Sequence, residues 1–373
     1  MSTEASAQGW RTSRAGRGVR DLAPACFAFV MATGIVSVGA FQLGPSWLSR
    51  TLLVIACAGV VVLGPALLAR LAFFRPSVAA DIRAPERVFG FFTIPAGLNV
   101  LGVRFALAGH PVVTAVLAGL AAAGWLVLTY GVPASLLLVR TRDSVVGAVN
   151  GSWLLWIVAT QSLAVAAATL DPVWPSQSAL LAPVAAGLWC VGLLLYLMVV
   201  ALILLRWISV PMTPAALGPP YWILMGATAI TTLTGAKVVS LPAGLPVVRA
   251  TGGFVEGFTF AMWAFGTWWI PLLVILGLWR HLRHHWPLSY EPGLWSVVFP
   301  LGMYSVATLT FGKAAHLTFM EPLARFMLWV AVAAWVLVAA AFVTSLVRHR
   351  HDPAEPAPGT PAATSPSSTS RPA

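Results

Sequence analysis

The chain has 373 residues, 59% hydrophobic and only 9% charged, whereas about a quarter of the residues of an average soluble domain carry charge; an ordinary water-soluble fold is excluded. A net charge of +11 would suit a nucleic-acid binder, but the basic residues sit in tails and short connections between apolar stretches. There they read as topology signals, and no nucleic-acid partner is expected.

Apolar windows between charged or turn-rich breaks predict ten membrane helices. In chain order they are Leu22 to Leu43, Thr51 to Phe74, Val88 to Ala108, Val112 to Val139, Asn150 to Leu170, Ala179 to Leu205, Pro220 to Ser240, Phe254 to Trp279, Gly293 to Gly312 and Leu323 to Val347. The basic N-terminus leads into an apolar run longer than a signal peptide's, and many others follow it, so it reads as a retained first span. Cys26, Cys57 and Cys190 lie inside apolar stretches and read as small buried hydrophobes rather than disulfide partners or metal ligands. The expected organisation is a basic cytoplasmic tail over 1–20, a ten-helix transport domain over 21–348 and a disordered tail rich in Pro, Ser and Ala over 349–373. No connection is long enough for a nucleotide-binding domain and no GxxxxGK[ST] loop is present, which argues against ATP-driven transport by this chain alone.

With the N-terminus inside, sixteen Lys and Arg fall on the inner side, Arg11, Arg140, Arg142 and Arg371 among them, against six outside: Arg50, Arg104, Lys237, Arg249, Lys313 and Arg325. This positive-inside bias predicts two cytoplasmic termini and an even number of spans, in the cell membrane.

Polar side chains favour alternate helices. The odd spans hold 20 Ser, Thr, Asn and Gln in 105 positions and the even spans 8 in 130. Thr33, Ser37, Thr93, Asn99, Thr160, Gln161, Thr228, Thr232, Ser305 and Thr308 are the candidate pore-lining residues. Polar groups at membrane depth face a bundle interior or a wet cavity, so the odd helices are expected inside and the even ones against lipid. The alternative is that these hydroxyls tie helices together through interhelical or backbone hydrogen bonds.

No Asp or Glu falls in the middle of a span, so a cation site or carboxylate relay is hard to build. An anion path needs none, since hydroxyls, free N–H groups and helix N-termini can line it. Helix breaks are available at Pro95 and Pro300, but also at Pro65, Pro133, Pro183 and Pro271 on even helices, so proline alone does not mark a pore. Arg104, Lys237 and Lys313 lie near the outer ends of odd spans and could form an electropositive vestibule; equally, they could be snorkelling anchors.

Four stretches carry a resemblance: FAFVMATGIVSV (Phe27 to Val38), PPYWILMGATAI (Pro219 to Ile230), GTWWIPLLVILGLWRH (Gly266 to His281) and YEPGLWSVVFPLGMYSVAT (Tyr290 to Thr308). Together they resemble the tellurite-resistance and dicarboxylate transporter family, which includes slow anion channels and sulfite and malate transporters. The resemblance implies a ten-helix protomer of five hairpins, odd helices around a central pore, and a homotrimer with one pore per subunit. It also implies a pore gate at Phe299, next to a kink at Pro300; by residue type alone Phe299 reads as a packed core ring. The fifth span lacks the central proline the family pattern leads one to expect, so any kink there would have to come from Gly151.

The expected activity is passage of small inorganic or organic anions across a lipid bilayer, with no catalysis and no cofactor. Malate and other dicarboxylates, sulfite, tellurite, chloride and nitrate all suit a neutral, hydroxyl-lined path. A proton-coupled carrier is the alternative, with Glu256 or His316 as the titratable group. The motif HxxHH at His281, His284 and His285 suggests a di-iron enzyme, but the other four histidines form no further box, so no metal is expected. A receptor or scaffold would need a displayed domain that the connections do not provide.

Overall fold

The computed structural model describes residues 13–138 and 145–351, and among these all regular structure is helical. Ten helices are long and apolar enough to cross a bilayer: α1 (Pro24–Leu43), α2 (Ser46–Phe73), α3 (Val88–Leu107), α4 (Pro111–Leu138), α5 (Gly151–Val173), α6 (Pro175–Ser209), α7 (Pro219–Val239), α8 (Pro246–Arg283), α9 (Pro292–Ala314) and α10 (Met320–Arg348). The expected ten-span, all-α membrane fold is therefore present. The largest boundary difference is at α8, which begins at Pro246 rather than Phe254. A proline in the first turn starts the helix ahead of Gly252 and Gly253, and the helix runs through both.

Hydropathy gave no sign of two short helices, Arg14–Arg20 and Arg75–Arg83. Helical backbone also continues beyond α10 to His351, into the first residues of the expected C-terminal tail. The rest of that tail, together with Arg11, Arg140, Arg142 and Arg371, lies outside the described residues.

Each odd helix packs on the even helix that follows it, giving five hairpins. The odd helices also pack on one another in a closed cycle, α1 on α3, α3 on α5, α5 on α7, α7 on α9 and α9 back on α1. In the most apolar stretch of each helix, 72–94% of residues are buried in the odd helices and 17–39% in the even ones. The odd helices are thus an inner ring, and the even helices present apolar side chains such as Val61, Leu126, Val127, Leu194 and Leu337 outward, as a surface solvated by lipid requires.

Every odd helix opens with a 3-10 turn: Pro24–Phe27, Val88–Phe92, Gly151–Leu154, Pro219–Trp222 and Pro292–Leu294. These turns touch in the same cyclic order, so all five odd helices start on one side, called the inner side below. Gly151 serves this contact rather than a mid-helix kink. A Cβ there would fall on the Pro220 carbonyl, so only glycine allows α5 and α7 to approach so closely, and the helical part of α5 runs unbroken from Leu155 to Leu170.

On the inner side, Arg70 at the end of α2 is buried against Asp81 of the short helix after it (Nη2 to Oδ2, 2.6 Å), and its Nε donates to the Arg20 carbonyl. Arg87 closes on the same carboxylate at 3.1 Å. Removing one member of a buried pair costs about 3–5 kcal/mol because the other charge is left uncompensated. Asp81→Asn is therefore expected to lower the thermal unfolding transition of the detergent-purified protein markedly; an unchanged transition would show that the pair contributes nothing.

Candidate anion path on the axis of the inner ring

A cavity of about 30 Å3, room for a water or two, lies on the ring axis in its outer half and is lined by all five odd helices. Most of its wall is aliphatic, for example Ile35, Val103, Val165, Leu233 and Val306. Its polar members are Gln42, Asn99, Ser162, Thr310 and Lys237, with no carboxylate among the lining residues. No described carboxylate lies within ion-pair distance of Lys237, so the cavity carries a single uncompensated cation.

Asn99 Nδ2 donates to Ser162 Oγ (2.9 Å), while the Ser162 hydroxyl spends its own hydrogen on the Ala159 carbonyl (2.7 Å). Ser162 can then only accept, which fixes the amide orientation and leaves Asn99 Oδ1 buried without a partner.

Four residues inward from the cavity-lining Ile35, Val100, Ser162, Ile230 and Met303 come Met31, Ala96, Val158, Gly226 and Phe299, one helical turn on and all buried. Phe299 is the largest side chain of this layer and is fully buried. Pro300 beside it packs on Gly226, where a Cβ would come within 2.8 Å of the proline ring. This layer lies one turn inward of the cavity, and none of its five residues lines it.

Of the ten residues expected to line a pore, only Asn99 lines the axial cavity. The others direct their polar groups to helix contacts or to their own turn, with Gln161 Oε1 alone among them buried without a partner. Thr33 accepts from Trp335 Nε1 (3.0 Å), Thr160 from Trp125 Nε1 (2.9 Å) and Thr308 from Trp263 Nε1 (3.0 Å). Ser37 donates to the Ser49 carbonyl, Gln161 Nε2 to the Trp189 carbonyl and Ser305 to the Ala324 carbonyl. Thr93, Thr228 and Thr232 donate to the carbonyls of Gly90, Met225 and Thr228. The alternative weighed from sequence thus describes these nine side chains. The physical reason is that an indole on an outer helix has no water to donate to and needs an inner-ring acceptor.

These three Trp–Thr bonds each run from an even helix to the odd helix of the next hairpin, α10 to α1, α4 to α5 and α8 to α9, and a fourth runs from Trp156 on α5 back to Thr129 on α4, so that neighbouring hairpins are stitched together. Such a bond contributes about 1 kcal/mol. Trp335→Phe is expected to lower stability by that amount without altering flux, measured as a small shift of the melting transition alongside proteoliposome uptake.

The three expected vestibule cations are not brought together. Lys237 is in the axial cavity. Arg104 is 3% exposed between α1, α2 and α3, its Nε donating to Ser37 and Ser49 Oγ and its guanidinium 4.3 Å from the Phe41 ring centroid. Lys313 is exposed in a separate outer hollow with His316 and Glu321. Equal depth along a helix does not mean equal direction around it.

His281 and His284 each meet a nearby backbone carbonyl, of Trp286 and Trp279, in and beside a π turn. Glu256 is exposed on outer helix α8 and His316 on an outer loop, and neither lines the cavity. Gln42, Ser162 and Thr310 line the cavity but are not among the ten pore-lining candidates, although Ser162 and Thr310 belong to the polar set that marks the inner helices. Thr310 was within reach, since steps of 4, 7 and 11 residues from Phe299 give Met303, Val306 and Thr310 on one helix face.

Ten bilayer-length helices, five of them in an inner ring, define a multi-pass membrane protein. Its sequence matches the voltage-dependent anion channel family over residues 21–343, and the chain belongs to that family. It is 25% identical over 338 residues to an uncharacterized transporter of Methanocaldococcus jannaschii, covering 86% of this chain and 92% of that one. It is also 47% identical over 152 residues to an uncharacterized membrane protein of Mycobacterium tuberculosis, covering 41% of this chain and 77% of that one.

Proposed function

We propose that the chain is a channel-like pore for small anions, running along the axis of the inner ring and gated by Phe299 beside Pro300. The observation that carries this is the axial cavity, bounded by all five odd helices and holding one lone cation, Lys237, and no carboxylate. A cation in a dry, carboxylate-free passage favours anions and repels cations. The pore would be lined by Gln42, Asn99, Ser162, Lys237 and Thr310 and by aliphatic side chains, a set different from the hydroxyls first expected. Phe299 would block by sterics and by excluding water.

The positive-inside count supports cytoplasmic termini in the cell membrane, with the 3-10 turns at the cytoplasmic mouth. The family resemblance supports a homotrimer with one pore per subunit. A proton-coupled carrier is less well supported, because Glu256 and His316 both lie away from the axis. The test is a flux panel in proteoliposomes covering malate, sulfite, tellurite, chloride and nitrate, with potassium as the cation control. Uptake of at least one anion without potassium supports the reading; potassium uptake alone contradicts it.

A further inference from the structure

The inner side of the ring opens on a second chamber, about 420 Å3, far larger than the axial cavity. It is lined by the opening turns of α1, α3, α5 and α7, including Pro24, Gly90, Gly151 and Pro220, and by Arg206 near the end of α6. The partial positive charge at the starts of these helices is directed at this mouth. Two further observations point to a ligand there.

Arg206 is 7% exposed, has no carboxylate within ion-pair distance among the described residues, and donates only weakly, from Nη1 to Met212 Sδ at 3.8 Å. Tyr221, 3% exposed and also lining the chamber, has a hydroxyl that faces the Trp207 indole N–H, a donor only, so the phenolic O–H has no acceptor. Among the described residues the other charges at the rim are Arg87, already paired with Asp81, and the exposed Glu86. A buried guanidinium without a counter-charge is costly unless something supplies one.

We infer that this chamber is an oxyanion-binding site, in which the Arg206 guanidinium and the Tyr221 hydroxyl hold a carboxylate- or phosphate-type group at the inner mouth. A planar guanidinium grips two oxygens at once, so oxyanions are held in preference to a halide. The phenolic O–H adds a third donor. The chemistry fits two sources, a free oxyanion on its way into the path or the phosphate of an anionic lipid headgroup. The assignment to the inner mouth rests on the pore reading above, but binding is measured independently of flux.

The test is calorimetric titration of the full chain, purified in neutral maltoside, with succinate, inorganic phosphate and chloride, together with native mass spectrometry of the protein taken from phosphatidylglycerol nanodiscs. Succinate or phosphate is expected to bind at least about tenfold more tightly than chloride. Arg206→Met should weaken this at least about tenfold and Tyr221→Phe about threefold, while Arg249→Gln, at an exposed position near the start of α8, leaves it unchanged. Should Arg206→Met fail to fold, Arg206→Lys, which keeps the charge but loses the fork, and Tyr221→Phe decide the matter. A phosphatidylglycerol retained by the native chain and shed by these variants identifies the headgroup as the source; succinate or phosphate binding in its absence identifies the free anion. Equal binding by native chain and variants, with no retained lipid, overturns the site. If binding behaves as expected but Phe299→Ala leaves flux unchanged, the gate fails and the site stands; normal gating without binding is the converse.

Discussion

Phe299→Ala is expected to raise anion flux in proteoliposomes by at least about tenfold, equivalent to about 1.4 kcal/mol off the barrier. The ring is fully buried in the layer one turn inward of the axial cavity, where the positions on α3 and α7 carry only Ala96 and Gly226. Nothing else in that layer matches its bulk, so truncation leaves a gap next to the existing cavity and allows water and ions to pass. The same truncation removes a buried aromatic at a cost of about 3–5 kcal/mol, so the variant must be shown to be folded by its melting transition. Phe299→Val and Phe299→Leu, which keep more of the packing, should give intermediate flux. A folded Phe299→Ala with unchanged flux would return the residue to the role of a core ring.

Lys237→Glu is expected to reduce anion flux by at least about tenfold in the Phe299→Ala background, with Lys237→Gln falling between the two. The side chain is the only charge lining the cavity. A unit charge ~6 Å from a passing ion, at an effective dielectric constant near 20, contributes about 3 kcal/mol, and reversal changes it twice over. Because the site is partly dry, added salt should screen this effect only weakly. Charge reversal at Arg104 or Lys313 should leave flux within about twofold of the parent, since neither side chain lines the cavity. Equal losses at all three positions would mean a diffuse surface potential rather than a cation in the path.

Which helices are buried is legible in the sequence, because polar side chains in a bilayer must sit where protein or water can satisfy them. Thr33, Thr160 and Thr308 mark inner helices for this reason. Which way they face was not legible from a count. A buried hydroxyl is equally content with a carbonyl, an indole or a water, and hydropathy carries no direction around the helix. The clue lay on the other helices: Trp125, Trp263 and Trp335 each bring a donor into lipid-facing segments and require an acceptor on an inner neighbour. The cations illustrate the same point. Arg104 and Lys237 lie at similar depth, yet helix phase turns one toward Ser37 and Ser49 and the other toward the axis. The inner chamber was invisible in sequence because Arg206 and Tyr221 come from different helices and each looks like an ordinary interfacial residue.

The claim that anions travel along the axis of the inner ring is tested most directly by thiol accessibility at two neighbouring positions on α9. In a background with Cys26, Cys57 and Cys190 replaced by alanine, Thr310→Cys places a thiol in the axial cavity and Thr308→Cys places one at the contact with Trp263. Flux of the best-transported anion is measured before and after treatment with a small anionic thiosulfonate added from outside. The account predicts that the reagent blocks flux through Thr310→Cys and leaves Thr308→Cys unaffected. Block at Thr308→Cys with none at Thr310→Cys would contradict it and move the path off the axis.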